Sequence, residues 1–382
     1  MSLTRTTKTP SQSDFHTAVI SWRQRLIVEL QSRGLKLESP DSGVSSRRGG
    51  AGPSDHKAIT VMGTTVMVPV HTLRATDSPY SARPVDDGSH ARLFRGSEEI
   101  GIVTFPPQPK FYGLQTQDGT PYWKIARLHA HNVLATTVLQ SCIRYPDRST
   151  RCQFCAIGES LRTGQTIAKK SPVQLAEVAE AAHRLDGIEH VVMTTGTPAT
   201  SDRGAAVLTE CASAITRRTP LPIQAQCEPP DSYEWFGRMR DAGVTSLGMH
   251  LEALDPEVRG RIMPSKAEIS VKEYLEAYEA AVAVFGRGQV NTYLLAGLGD
   301  SRETLIEGCR KLIAIGVYPF VVPFVPITGT PLETHESPTS DFMLSILQPL
   351  GKMLRSAGMT SDQISAGCGK CGACSALSSF EN

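Results

Sequence analysis

From residue 131 onward the sequence predicts an α/β protein: a partial (β/α)6 barrel of the TIM type, with a small N-terminal α+β appendage and a C-terminal cysteine-rich tail. Six strand-like runs alternate with six amphipathic stretches, three cysteines follow the first run closely, and three of the runs carry polar residues at every second position. Strand-then-helix alternation argues for parallel strands joined by helical crossovers. Six such units close only part of the circle that eight complete. The expected division is 1–125 for the appendage, 126–358 for the barrel and 359–382 for the tail.

Residues 1–12 read as a disordered tail; with no apolar core they are no secretory signal. Val19, Ile20, Trp22, Leu26, Ile27 and Leu30 have helical spacing, and Gly34 ends that pattern. The stretch 39–55, rich in Ser, Gly, Pro and Arg, reads as a mobile loop. A hairpin is expected across 61–69, with further strands at 101–105 and 121–125. The barrel strands are expected at 133–139, 190–195, 223–226, 246–252, 290–296 and 317–326. Helices are expected near 173–185, 203–217, 231–242, 271–285, 302–315 and 340–357.

Composition narrows the function. With 39 basic against 38 acidic residues and no basic stripe, nothing attracts the chain to nucleic acid. The longest apolar run, 317–327, is short and broken by Pro319, Pro323 and Pro326, so no membrane span is expected. Six of the nine cysteines fall in two tight clusters, which favours metal binding in a reducing cytoplasm over a disulfide framework. Cys211, Cys227 and Cys309 stand alone and read as buried small hydrophobes.

Cys142, Cys152 and Cys155 follow the first barrel strand, at the end where barrel active sites form. Three thiols are one short of a structural zinc site. They suit an iron–sulfur cluster with one iron left open to a non-protein ligand. The two-residue period puts Gln224, Gln226 and Glu228 on one strand face. It does the same for Ser246, Gly248, His250 and Glu252, and for Asn291 and Tyr293. A lumen packed for stability alone would carry branched apolar residues there, so these faces imply a ligand. Substrate candidates are Gln224, Gln226, Glu228, His250 and Tyr293; Glu252, an inward carboxylate, needs a partner to offset its desolvation. The catalytic candidates are His250, Glu252 and Tyr293. Cys368, Cys371 and Cys374 form a second metal-binding signal, two abutting C-x2-C steps with turn-forming glycines. An auxiliary [4Fe–4S] cluster and a zinc ion with a fourth ligand from elsewhere both fit it.

Together these residues resemble the radical S-adenosylmethionine (SAM) superfamily over roughly 131–335, and its biotin-synthase-like branch most closely in texture. Phe154 fills the family's aromatic place before the last cysteine, while the nine residues between Cys142 and Cys152 depart from the common C-x3-C-x2-C spacing. More narrowly, the chain looks like a subfamily whose genes accompany a nitrilase in bacterial clusters. The resemblance implies that Cys142, Cys152 and Cys155 hold a [4Fe–4S] cluster whose fourth iron is chelated by SAM. It further implies reductive cleavage to a 5′-deoxyadenosyl radical that takes hydrogen from a small, nitrogen-containing or nitrile-related metabolite. A flavodoxin or ferredoxin-type reductant would supply the electron.

The resemblance also assigns positions. Thr194, Thr195, Gly196 and Thr197 stand where the family has a Gly-Gly-Glu-like segment meeting the SAM amino group, without its glutamate. Glu252 matches the acidic residue that contacts the SAM ribose or amino group, and Arg259 or Arg261 would pair with the SAM carboxylate. Gly297, Leu298 and Gly299 resemble the adenine-binding turn, and residues 326–331 match a Pro-x-x-Gly-Thr-Pro run of this branch. Glu228 joins Phe154 and these residues as a cofactor contact. Two other function classes stay open at this stage: a zinc-binding barrel acting as hydrolase or scaffold, and a non-catalytic maturation partner that binds cluster and SAM.

Overall fold

The computed structural model describes residues 12–38, 56–85 and 89–381. The tail expected at 1–12, save Gln12, and the loop expected at 39–55 lie outside the described residues.

The chain opens with α1 (Gln12–Arg33), followed by β1 (Lys36–Leu37), β2 (His56–Val61), β3 (Thr64–Pro69), β4 (Tyr80–Pro84), β5 (His90–Arg95) and β6 (Glu98–Thr104). These six strands form one sheet in the order β1-β4-β5-β6-β2-β3. The expected hairpin is β2–β3. Its two-residue loop has Met62 at φ 48° and Gly63 at φ 73°, the left-handed pair that matches strand twist. The strand expected at 101–105 forms as the second half of β6, which ends at Thr104. The one expected at 121–125 is instead a helical turn, α2 (Tyr122–Ile125): Pro121 precedes it, and both Tyr122 and Ile125 turn into the core.

A second, seven-stranded sheet holds its strands side by side in the order of the chain. The edge strand β7 (Arg127–His129), not foreseen, pairs antiparallel with β8 (Val133–Thr137). Then come α3 (Ile157–Arg162), α4 (Pro172–Asp186), β9 (His190–Thr194), α5 (Ala205–Thr216), β10 (Ile223–Gln226) and α6 (Glu234–Asp241). β11 (Val244–Gly248), α7 (Pro256–Ile262), α8 (Val271–Phe285) and β12 (Val290–Ala296) follow, then α9 (Arg302–Ala314), β13 (Val317–Pro323), α10 (Ser340–Ser356) and α11 (Cys368–Cys371). Among themselves the six strands β8 to β13 are parallel, and β13 does not pair with β8 among the described residues, so the barrel stays partial. Helices start where the sequence caps them. Ser171 with Gln174 and Ser270 with Glu273 form capping boxes on α4 and α8, while Ser301 and Thr339 cap α9 and α10.

The fourth barrel strand is shorter than expected and ends at Gly248 rather than 252. Beyond it the backbone finds other partners: Leu251 N–H donates to Thr292 Oγ1 at 2.9 Å, and Arg259 takes the carbonyls of Leu251 and Ala253. Glu252 then adopts φ 58°, a left-handed conformation costly for a residue with a Cβ, and rejoins β12 by a single bridge to Leu294. Register aligns Thr137, Thr194, Gln226, Gly248 and Asn291 across five strands, so the residues just past them share one mouth.

The tail returns to the opposite, N-terminal end of the strands. Ala366 N–H donates to Ser246 Oγ at 3.3 Å, Gly367 N–H to His190 Nδ1 at 3.2 Å, and Cys368 N–H to Gln224 Oε1 at 3.1 Å. Gly367 is at φ 100°, and a Cβ there would meet Gln224 Cδ at 2.1 Å, so only glycine passes. The N-terminal helix and sheet cover this plug: Gln31 Nε2 of α1 and Met67 N of β3 both donate to Ala373 O, at 3.0 and 2.8 Å.

Candidate functional site

Cys142, Cys152 and Cys155, all free thiols, line one cavity of about 290 Å³ at the C-terminal mouth of the barrel. The segment before Cys142 is stitched to the loop after β9: Gly196 N–H donates to Leu139 O at 2.9 Å and Ile143 N–H to Thr197 O at 2.9 Å. A Cβ on Gly196 would stand 2.0 Å from the Ser141 carbonyl, so the loop can lie this close only as glycine. The insert does not reach freely into solvent. Arg144 grips Glu228 with two bonds of 3.0 Å and also donates to the Ser265 carbonyl, while Arg151 stacks 4.7 Å over the Tyr145 ring.

Burial pushes the Cys155 thiol up to about 11 and Cys152 above the thiol range, so both are protonated until a metal takes the proton's place. Cations stand ready to offset thiolate charge: Lys266 acts on Cys152, and Arg144 on Cys142 and Cys152. Three thiols, two nearby cations and an adjoining void suit an anionic iron–sulfur cluster with one open iron. Among the described residues, no three His, Cys, Asp or Glu side chains have the spacing of a single-ion site.

Most of the expected mouth residues come together. Phe154, Thr194, Thr195, Gly196, Thr197, Glu228, His250 and Glu252 all line this cavity. The sequence reading missed Lys266. Its ammonium sits 2.8 and 2.7 Å from the two Glu252 oxygens, and its side chain is only 9 % exposed. It comes from the loop after α7, where nothing in the local pattern marks it. Lys266 and the Arg144 bonds hold the Glu228 carboxyl below the usual carboxylate range, although burial works against its charge.

Arg259 requires a correction. It is 2 % exposed, with its guanidinium spent on the carbonyls of Leu251, Ala253 and Ile269, and is not among the cavity walls. It shapes the bend carrying Glu252 rather than facing a ligand. Arg261 likewise donates to Leu298 O at 3.0 Å. The turn Gly297, Leu298 and Gly299 lines neither this cavity nor the next; Leu298 instead packs in a cluster against which Cys152 and Phe154 rest.

A second chamber of about 360 Å³ adjoins the first, with Phe154, Thr194, Gln226, His250, Glu252 and Ile327 as shared walls. Its far end is formed by Cys368, Cys371 and Cys374, also free, and its cover by Gln31, His56 and Met67 of the N-terminal region. The two thiol triads therefore face one continuous lumen from opposite ends. Burial pushes the Cys371 thiol up to about 12 and raises Cys368, where the neighbouring Tyr293 hydroxyl and Gln226 amide work against burial. Gln226 Nε2 lies 3.2 Å from Cys368 Sγ. Tyr293, expected at the catalytic mouth, thus serves this lower triad. The other walls are mainly apolar, among them Val192, Leu295, Val322 and Phe324.

The imidazoles of His250 and His190 accept backbone N–H donors at Nδ1, from Tyr293 and Gly367, each at 3.2 Å. Both rings are therefore neutral with the proton on Nε2. Burial, reinforced by Lys266, pushes His250 down to about 3; burial, reinforced by Lys370 and His131, pushes His190 down to about 4. The unfolded chain takes up these protons near 6.5 while the folded one does not. The metal-free protein should therefore lose stability as pH falls from about 6.5 towards 4. Urea unfolding at pH 7.5, 6 and 5 checks this, and His190→Asn should make the decline shallower.

With this geometry in view, comparison with known proteins places the chain. Residues 149–312 match the model of the radical SAM superfamily. The chain carries a radical SAM superfamily domain. That span holds Cys152 and Cys155 but neither Cys142 nor the C-terminal triad. Bacteriochlorophyllide c C-7(1)-hydroxylase of Chlorobaculum limnaeum is 31% identical over 126 residues, 32% of this chain and 31% of that protein. The mitochondrial lipoyl synthase of Clavispora lusitaniae is 30% identical over 178 residues, 44% of this chain and 42% of that protein. The chain thus spans less than half the length of either relative. A radical SAM methyltransferase structure from Sphaerobacter thermophilus is similar with a TM-score of 0.45, at 16% identity over 76% of each chain. A radical SAM domain implies SAM and a [4Fe–4S] cluster as cofactors. Among the described residues no helix is long and apolar enough to cross a membrane.

Proposed function

We propose that the protein is a radical SAM enzyme that converts a small metabolite, with SAM and a [4Fe–4S] cluster held at the upper triad. The reading is carried by three free thiols from one loop lining one cavity with a buried Lys266–Glu252 pair beside it. When bound, the cluster and SAM supply a 5′-deoxyadenosyl radical; the protein orients the reactants and excludes water.

Cys142, Cys152 and Cys155 hold the cluster. Thr194, Thr195, Gly196 and Thr197 offer hydroxyls and backbone groups to SAM, and Phe154 borders it. Glu252 receives the SAM amino or ribose groups. Lys266, with one of its three N–H donors left beyond the two on Glu252, receives the carboxylate in place of Arg259 or Arg261. His250, held neutral, stands between the two chambers and can donate from Nε2 to substrate.

The substrate occupies the second chamber. Its volume lies near the lower end for small-molecule pockets. Among the described residues no Lys or Arg stands in its walls and the one carboxylate there, Glu252, is already paired, which favours a small, uncharged and largely apolar substrate. Cys368, Cys371 and Cys374 hold an auxiliary [4Fe–4S] cluster at its far end, and a flavodoxin or ferredoxin-type protein supplies electrons. The experiment is anaerobic incubation of reconstituted protein with SAM and reductant. Release of 5′-deoxyadenosine is expected; none from fully iron-loaded protein would overturn the proposal in favour of a non-catalytic partner.

A further inference from the structure

The lower triad is surrounded by hydrogen-bond donors to a degree the upper one is not. Gln226 Nε2 lies 3.2 Å from Cys368 Sγ, and His129 Nε2 lies 3.5 Å from Cys374 Sγ. The Tyr293 hydroxyl also lies close enough to Cys368 to favour its thiolate. These donors come from three different strands, β10, β7 and β12, and each is fixed from behind. The Gln226 amide also donates to Gln224 Oε1 at 2.7 Å; the Tyr293 ring is wedged edge-on between His250 and Phe320; and β7 is held by Tyr112, whose hydroxyl accepts from Leu128 N–H at 3.0 Å. Among the described residues the upper triad has a backbone contact of this kind, from Ile157 to Cys155, as Cys371 has from Ala373, but no side-chain donor. A thiolate can only accept, so beside Cys374 the His129 ring must carry its proton on Nε2.

We propose, on the strength of the C-terminal cluster proposed above, that Gln226, Tyr293 and His129 are positioning residues for that cluster. Gln226 and His129, by donating to the Cys368 and Cys374 thiolates, and Tyr293, by placing its hydroxyl beside Cys368, raise its reduction potential. Hydrogen bonds to cluster sulfurs stabilise the extra negative charge of the reduced state, one of the means by which a protein sets the potential. Gln226 and Tyr293 are also chamber walls, so a molecule seated there acts on the cluster through the same two side chains.

The test is an anaerobic, EPR-monitored redox titration of the full chain carrying Cys142→Ala, Cys152→Ala and Cys155→Ala, in which only the lower site takes up iron. Wild-type holoprotein is titrated alongside. Tyr293→Phe, Gln226→Leu and His129→Phe are each expected to shift the midpoint to a more negative potential at unchanged iron and sulfide content. His129→Gln, which keeps an N–H donor, should restore most of the His129→Phe shift. Midpoints that do not move in fully loaded variants would overturn the proposal. Absence of iron, or zinc instead, at the lower site of the triple variant would overturn the C-terminal cluster itself, and the two failures are told apart by the metal count.

Discussion

Cys142→Ala is expected to bring the anaerobically reconstituted protein from about eight irons per chain to about four and to take 5′-deoxyadenosine release below detection. The expectation is not trivial, because Cys142 precedes the span that matches the superfamily model and is separated from Cys152 by nine residues. The structure brings its sulfur to the same cavity wall by folding the insert away. Arg144 ties the insert to Glu228, and the Gly196 and Ile143 N–H bonds fasten the chain on either side. With two thiolates left, two irons of the cube lack a protein ligand, and the cluster should not persist. Cys211→Ala, a buried position on α5, is the control that should leave iron unchanged. Full iron and activity in Cys142→Ala would mean that another residue provides the first ligand.

Lys266→Met is expected to destabilise the metal-free protein by about 3–5 kcal/mol and to abolish SAM binding to the reconstituted one. The pair is buried, with side-chain exposures of 9 % and 12 %, and removing the ammonium leaves the Glu252 carboxylate without a counter-charge in a site that disfavours it. Adding Glu252→Gln should recover most of the stability, since a neutral amide needs no counter-charge. SAM binding should stay lost, because both contacts proposed for it are gone. Urea unfolding and equilibrium dialysis with labelled SAM separate the two effects. Stability that recovers together with SAM affinity in the double variant would confine the pair to a structural role.

The barrel was legible because its strands and helices carry their period locally. The runs at 223–226 and 290–296 and the helix at 271–285 form with the expected bounds, since parallel strands are buried on both faces and capped amphipathic helices cover them. The errors fall where side chains from elsewhere compete for the backbone. Thr292 and Arg259 capture the chain after Gly248 and end the strand early, and the same competition withdraws Arg259 from the cavity. Lys266 was invisible because a lysine in a polar loop looks solvated until the fold buries it against a carboxylate.

The sequence by itself determined the two cysteine triads, the parallel α/β order and the polar strand faces, because spacing and period are properties of neighbours along the chain. Only the tertiary structure decided that the C-terminal triad turns back into the barrel from below, held by Ser246, His190 and Gln224. It alone decided that the N-terminal helix and sheet close the chamber over that triad through Gln31 and Met67. These contacts join residues more than a hundred positions apart. They form because buried backbone donors and acceptors must find partners wherever the fold brings them, and no local pattern records which partners those are.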